Sequence, residues 1–356
     1  MEHEPRRTKD RPHLLAAPDK FRGTASAREI AAAAARAGRR EGWSATARAL
    51  ADGGDGLLEA VGGKPMSTVV TGPLGTPVSA EWRLLENDRE PPTAVIEMAR
   101  ASGLALVGGP SRNDPLAATT RGTGELVRDA LAHGVRRVVV GCGGSATTDG
   151  GAGLLEVIGR DDLAGVELLG ACDVTTPFLD AAIVFAAQKG AGPSEIELLS
   201  IRLEGLATRY RDEFGVDVTT IERAGAAGGL GGALAVLGGR LVSGFALVAD
   251  LVGLDAELAV ADLVVTGEGR LDATSFEGKV VGEVLRRVDH QLPVLVVVGD
   301  ADAELGLEVT YPGATVVSLV SRFGLRGALA DPAARVEEVV LSYLRSRPAV
   351  HRPTNP

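Results

Sequence analysis

Five stretches of the sequence gather acids, bases and glycines at spacings that suit chemistry. The first is Asp19–Lys20–Phe21–Arg22–Gly23–Thr24. It places a carboxylate beside two cations. Asp19 is a candidate base, and Lys20 and Arg22 are candidate holders of a substrate carboxylate or a phosphate. The second, Asp52–Gly53–Gly54–Asp55–Gly56, flanks paired glycines with two carboxylates. Such a loop can wrap a cation or set a base against a hydroxyl. The third runs from Gly141 to Gly151 and is rich in glycine and hydroxyls. Its backbone N–H groups, at Gly143, Gly144 and Ser145, can cradle a polyphosphate. Asp149 in this loop either caps a helix or faces a metal. Gly141, Gly143 and Ala146 also satisfy the dinucleotide-binding spacing. The fourth pairs Cys172–Asp173 with Gln188–Lys189–Gly190, and the fifth is Thr266–Gly267–Glu268–Gly269–Arg270–Leu271–Asp272 followed by Lys279. Cations for phosphates beside carboxylates for Mg2+ are what phosphoryl transfer requires.

Other chemistries fit less well. The five histidines, His3, His13, His133, His290 and His351, all lie outside these loops. That argues against a Ser–His hydrolase and against zinc, and it makes any general base a carboxylate. No Walker A loop is present, because Gly278–Lys279 lacks the preceding glycine. The net charge of −10 argues against nucleic acid or an anionic membrane as partner. Aromatics at 3% leave few stacking platforms. An anionic substrate must then be held by local cations. Cys142 and Cys172 have no metal-ligand spacing and read as small buried thiols, which fits a reducing cytoplasm. The charged stretch Met1 to Arg11 lacks the apolar core of a signal peptide.

The loops need elements to hold them. The chain repeats an apolar run, a Gly/Asp loop and an alanine-rich amphipathic segment, the βα rhythm of a parallel sheet. Strands are predicted at His13–Ala17, Ala45–Ala51, Val138–Cys142, Leu168–Val174, Leu263–Thr266, Val294–Val298 and Thr315–Val320. Helices are predicted from Ser26 with a Glu29 capping box, at Gly122–His133, Gly150–Ile158, Glu195–Phe214 and Gly225–Leu237, from about Thr274 with Glu277 as a second capping box, and at Asp331–Arg345. Val69 to Met98 breaks the rhythm and predicts short antiparallel strands. An α/β fold follows, with a doubly wound domain from 13–68 and 261–345. A second α/β domain with a mixed sheet, 69–260, is inserted in it, and disordered tails occupy 1–12 and 346–356. The cleft between domains is the expected ligand site.

The loops in order resemble one family. Ala17–Pro–Asp–Lys–Phe–Arg–Gly23, Ala51–Asp–Gly–Gly–Asp–Gly56, Val95–Ile–Glu–Met–Ala99, Gly143 to Gly153, Ala171–Cys–Asp–Val174, Gln188–Lys–Gly–Ala191, Gly225 to Gly231 and Thr266 to Asp272 are similar to the bacterial glycerate kinases over roughly residues 13 to 345. Lys20, Arg22, Asp55, Ala186–Ala187 and Thr274–Ser275 depart from the usual family residues. The resemblance implies a flavodoxin-like domain with a second domain likened to restriction endonucleases. It also implies transfer of the ATP γ-phosphoryl to D-glycerate with Mg2+, giving 2-phosphoglycerate.

On that basis Gly143, Gly144, Ser145 and Gly267 are expected to hold the nucleotide, with Lys189 and Lys279. Lys20, Arg22, Asp52 and Arg270 are expected at the substrate. Asp173, Glu268 and Asp272 are the metal-side candidates. Asp19, Asp52 or Asp149 orients or deprotonates the attacking hydroxyl, so the catalytic set is Asp19, Lys20, Asp52, Asp149 and Arg270. A monomer or homodimer is expected, without nucleic acid or membrane. The alternatives are a kinase of another small hydroxy acid, a nicotinamide-dependent oxidoreductase, and a non-catalytic sugar-acid-binding regulator.

Overall fold

The structure, a computed structural model, describes residues 11–87, 90–302 and 311–346. The tails expected at 1–12 and 346–356 fall almost wholly outside these residues, as do His3 and His351. Among the described residues the strands are, in chain order, β1 (His13–Ala16), β2 (Ser44–Ala47), β3 (Lys64–Thr71), β4 (Pro77–Asn87), β5 (Glu90–Glu97), β6 (Arg137–Gly141), β7 (Glu167–Cys172), β8 (Arg240–Ser243), β9 (Leu263–Thr266), β10 (Arg270–Leu271), β11 (Val294–Val298), β12 (Asp300–Ala301) and β13 (Ala314–Ser318). The chain divides into two units. One joins the residues up to 50 to those from 249 onward, and the other is 51–248.

The first unit is a parallel sheet in the order β13-β11-β9-β1-β2. Counted within the unit, that is 2-1-3-4-5, a doubly wound order. The direction of winding reverses between β1 and β9, so ligands are expected beyond their carboxyl ends. The helix Ala27–Arg40 starts as its sequence predicts: Ser26 Oγ accepts from Glu29 N–H, and Glu29 accepts from Ser26 N–H at 2.8 Å. Such a cap contributes about 1 kcal/mol. The helix buries Ile30, Ala31, Ala34 and Ala35 in a core shared with Val336, Val339 and Leu344 of the helix Pro332–Ser346. These small alanines let the two helices approach closely.

The second unit is a six-stranded mixed sheet, β3-β4-β5-β6-β7-β8. Its β3, β4 and β5 are antiparallel and β5 to β8 are parallel. Trp82 on β4 is fully buried, and its indole N–H donates to Asp129 at 2.9 Å, so the ring is buried without an orphaned donor. Ile96, Met98, Val138, Val140 and Leu234 pack in the same core. A second cluster joins Phe178 to Leu199, Leu203 and Tyr210 of the helix Pro193–Phe214. No helix among the described residues is long and apolar enough to cross a membrane.

Several elements differ from their sequence-based limits. The second strand ends at Ala47, and the unit boundaries fall at 50/51 and 248/249, where 68/69 and 260/261 were expected. The residues from Lys64 pair with β4 and so belong to the second sheet. The helix expected over Gly150–Ile158 spans only Ala152–Leu155, because Gly150 and Gly151 are left-handed with φ of 65° and 79°. The small-residue helix Ala226–Val236 is interrupted by non-helical Ala227, Gly228 and Gly229. The second capping box is formed by Asp272 and Ser275, not by Thr274 and Glu277, over a short 3-10 turn at Ala273–Phe276. The helix proper is Val280–Arg287.

Candidate active site

In the first unit the loops after β1 and β9 lie side by side at the winding reversal. Thr266 Oγ1 donates to the Ala17 carbonyl at 2.8 Å, and Asp19 N–H donates to the Gly267 carbonyl at 2.8 Å. A methyl placed on Gly269 would stand 3.2 Å from the Arg22 nitrogen, so the two backbones nearly touch. Lys20 N–H donates to Asp19 Oδ1 at 2.7 Å, which turns the loop back on its own carboxylate. Asp19 and Glu268 are buried, while Arg22 and Arg270 are exposed. Beyond this point Gly299 N–H donates to the Glu268 carbonyl and β10 pairs with β12, fixing the Arg270 backbone. The Arg270 guanidinium meets Asp302 at 3.2 Å, an exposed pair.

The electrostatics of this loop pair are uneven. Burial pushes the Glu268 carboxyl up to about 7, with Asp19 and Asp272 adding repulsion and Ser275 and Lys279 opposing the rise. Its Oε1 is buried and has no hydrogen-bond partner among the described residues. Asp272 lies below the usual carboxylate range, chiefly because the Thr274 hydroxyl donates to it. Lys279 Nζ donates to Thr274 Oγ1 at 2.6 Å. An unsatisfied buried carboxylate oxygen beside a second acid fits a cation such as Mg2+, which keeps several waters and takes one or two protein carboxylates. The expected trio of Asp173, Glu268 and Asp272 is not a preformed cage. Asp173 belongs to the second unit, and no group of three or more His, Cys, Asp or Glu able to hold a metal occurs among the described residues.

In the second unit the glycine-rich loop follows β6. It is held from beneath by Asp149, which is buried and accepts Thr120 N–H and Thr120 Oγ1, each at 2.8 Å, Gly151 N–H at 3.1 Å and Gly153 N–H at 3.2 Å. Both oxygens of Asp149 are thus committed to the loop. Lys189 was expected to reach phosphates. It is 3% exposed, and its Nζ donates to the Thr147 carbonyl at 2.6 Å. Burial pulls its ammonium down to about 7, against an opposing pull from Asp149. Asn113 completes the brace by donating to the carbonyls of Ala146 and Lys189. Gly143 and Gly144 face outward more than Ser145 does.

The Asp52–Gly56 loop follows the end of β2, where the N–H groups of Arg48 and Leu50 still donate to the carbonyls of Ala16 and Pro18, and it belongs to the second unit. A methyl on Gly143 would stand 2.5 Å from the Gly54 Cα, and one on Gly53, at φ 92°, would stand 2.5 Å from the Gly244 Cα. Only glycines allow that approach. Asp52 is buried and accepts Gly54 N–H at 3.1 Å, while Asp55 is exposed. The predicted residues therefore form two sets. Asp19, Lys20, Arg22, Gly267, Glu268, Arg270, Asp272 and Lys279 belong to the first unit, and Asp52, Gly143, Gly144, Ser145, Asp149, Asp173 and Lys189 to the second. Thr120, Asn113 and Ser275 have no assigned role in the sequence motifs, and Glu97 enters there only through the Val95–Ile–Glu–Met–Ala99 resemblance.

Comparison with known proteins agrees with these loops. The model of the glycerate kinase family matches residues 14–163 and 159–345. The glycerate 2-kinase of Escherichia coli (strain K12) is 35% identical over 351 residues, covering 87% of this chain and 91% of its own. The glycerate kinase of Halalkalibacterium halodurans is 35% identical over 380 residues, covering 94% and 99%. A crystal structure from Salmonella typhimurium LT2, provisionally named glycerate kinase 2, superposes with a TM-score of 0.79 at 33% identity, covering 95% of this chain and 98% of that one. The loops and the matches extend over nearly the whole chain, and on both grounds it is a kinase that belongs to the glycerate kinase family.

Proposed function

We propose that the protein transfers the γ-phosphoryl of ATP to the 2-hydroxyl of D-glycerate. The observation that carries this reading is the pair of loops at the winding reversal, where Asp19 N–H meets the Gly267 carbonyl. That contact sets the loop of Asp19, Lys20 and Arg22 beside the loop of Glu268 and Arg270. A small hydroxy acid needs such a set: guanidinium or ammonium for its carboxylate, and an acid anion for its hydroxyl proton. The 2-position is supported by the relative named glycerate 2-kinase.

In this reading Lys20 and Arg22 bind the glycerate carboxylate, and Arg270 leaves Asp302 to meet the transferring phosphoryl. Asp19 receives the hydroxyl proton as the oxygen attacks the γ-phosphorus. The bond to the bridging oxygen breaks and ADP leaves. In the second unit Gly143, Gly144 and Ser145 have backbone N–H groups suited to a polyphosphate, and in the first unit Gly267 and Lys279 are the nucleotide candidates. Glu268 and Asp272 would hold Mg2+, which supplies charge neutralisation for the phosphates. Asp149 and Lys189 act on the loop itself, since their polar atoms are committed to it. Asp52 is a supporting contact to substrate. Removing Asp19 should cost ~2–4 kcal/mol of barrier, on the scale of other transition-state contacts.

Phosphorus-31 NMR on the purified chain with ATP, Mg2+ and D-glycerate tests the reading. A phosphate ester split into a doublet by one carbon-bound proton is the expected product. A triplet would place the phosphate on the terminal carbon, and inorganic phosphate alone would remove glycerate as substrate.

A further inference from the structure

We propose that Glu97 is a positioning residue whose carboxylate fixes the Asp52–Gly56 loop for phosphoryl transfer. The inference rests on the kinase reading above for its catalytic half only. Glu97 ends β5 and is 2% exposed. A carboxylate so deeply buried is costly unless every lone pair is used. Its Oε1 accepts Gly56 N–H and Leu58 N–H, each at 3.0 Å. Its Oε2 accepts Arg100 Nε–H at 2.8 Å.

The N-cap of the helix that ends the loop has no side-chain hydrogen bond of its own. The helix Leu57–Val61 starts at Gly56, which is left-handed at φ 94° and has no side chain to bind the free N–H groups. Glu97 supplies that acceptor from another strand. An apolar residue would close β5 equally well as far as the sheet is concerned; the acid serves the loop.

Glu97 also stands where the glycine-rich loop is fastened. Met98 N–H donates to the Gly141 carbonyl at 3.1 Å, Leu104 N–H to the Gly144 carbonyl at 2.9 Å, and Ala146 N–H to the Ser102 carbonyl at 2.9 Å. The stretch from Glu97 to Leu104 thus grips both loops, and Gly54 and Gly143 touch between them. Loss of the carboxylate frees one loop while leaving the other tied. The consequence falls on the alignment of the reacting groups more than on their affinity.

The test compares Glu97→Met and Glu97→Gln with the wild-type chain by amide exchange over residues 52–58 and by steady-state kinetics with ATP and D-glycerate. Methionine keeps the volume and removes the acceptor; glutamine keeps one acceptor oxygen. We expect Glu97→Met to exchange at least ~10-fold faster at Gly56 and Leu58. Its kcat should fall about 10–100-fold, the scale of other orienting contacts, with both KM values changing less than about 3-fold. Glu97→Gln should recover most of both. Unchanged exchange in a folded Glu97→Met protein overturns the proposal, and so does equal loss in the two variants. Should Glu97→Met not fold, Glu97→Gln decides alone: its weaker acceptor should raise exchange about 3-fold, and an unchanged rate overturns the proposal. A wild-type chain that makes no glycerate phosphate defeats the D-glycerate reading and the catalytic half with it. The exchange rates still decide whether Glu97 holds the loop.

Discussion

The Asp149 carboxylate and Thr120 are joined twice, through the threonine N–H and its hydroxyl, each at 2.8 Å. The same oxygen also accepts Gly153 N–H. Asp149→Ala would strand these buried donors at once. We expect a loss of about 3–5 kcal/mol, the range for breaking a buried charged network, measured by urea unfolding. Thr120→Val keeps the shape but removes the hydroxyl that donates to Asp149 and accepts Leu154 N–H at 3.0 Å, and should cost about 1–3 kcal/mol. Equal and small losses would mean that the carboxylate does not organise this loop.

Lys189 makes a pH prediction. Its folded value of about 7 lies below the ordinary lysine value of 10.5. The unfolded chain therefore binds more protons between those two values, and stability must rise with pH across that window. Below pH 7 the fold carries the full cost of a buried ammonium. Lys189→Met carries no such cost. The difference in melting temperature, wild type minus variant, should grow from pH 7 to pH 10. A flat difference would show that the ammonium keeps its charge in the fold.

Glu268 behaves in the opposite sense. Its folded value of about 7 lies above the ordinary 4.5, so the folded chain binds the extra proton between those values. Stability falls as pH rises through that window, and the full cost is present above pH 7. Glu268→Gln should then stabilise the ligand-free protein by up to about 3 kcal/mol at pH 8 and by nothing at pH 4. Denaturant titrations at the two pH values make the comparison. Added Mg2+ should raise the melting temperature of the wild type and not of the variant.

Gly143→Ala tests the contact between the two glycine loops. The new methyl would lie 2.5 Å from the Gly54 Cα, and backbone cannot yield as a side chain can. A destabilisation of about 1–3 kcal/mol is expected, with a fall in kcat larger than stability alone explains. Wild-type kinetics in the folded variant would separate the two loops functionally.

Much of this was legible in the residues. Leu263–Val265 and Val294–Val298 are apolar runs, the first closed by Thr266, and both strands appear at the predicted limits. Ser26 and Glu29 announced a helix start because the two caps are local in sequence. The strand and helix limits that moved are set by contacts distant in sequence. The Asp52–Gly56 loop follows β2 closely, yet Gly244, Gly143 and Glu97 hold it, and no spacing rule reports such partners. Lys189 misled for a related reason. A lysine after a helix end reads as a free cation, and only burial shows that its ammonium is tied to Thr147. Asn113 gave no signal, since its partners lie at Ala146 and Lys189.

The first unit is sewn from two ends of the chain, and this has a consequence for its birth on the ribosome. β1 is flanked by β2, which follows it closely, and by β9, whose Thr266 side chain binds Ala17 across 249 positions of sequence. At about 5–20 residues per second, translation supplies that partner roughly 12–50 seconds later. Meanwhile β1 emerges with a bare edge, and the alanine face of the helix Ala27–Arg40 waits for the helix Pro332–Ser346. The intervening residues 51–248 hold all six strands of their own sheet and need nothing from the chain ends to pair them. The strands of the second unit can therefore all pair before β9, β11 and β13 of the first unit's sheet have been made.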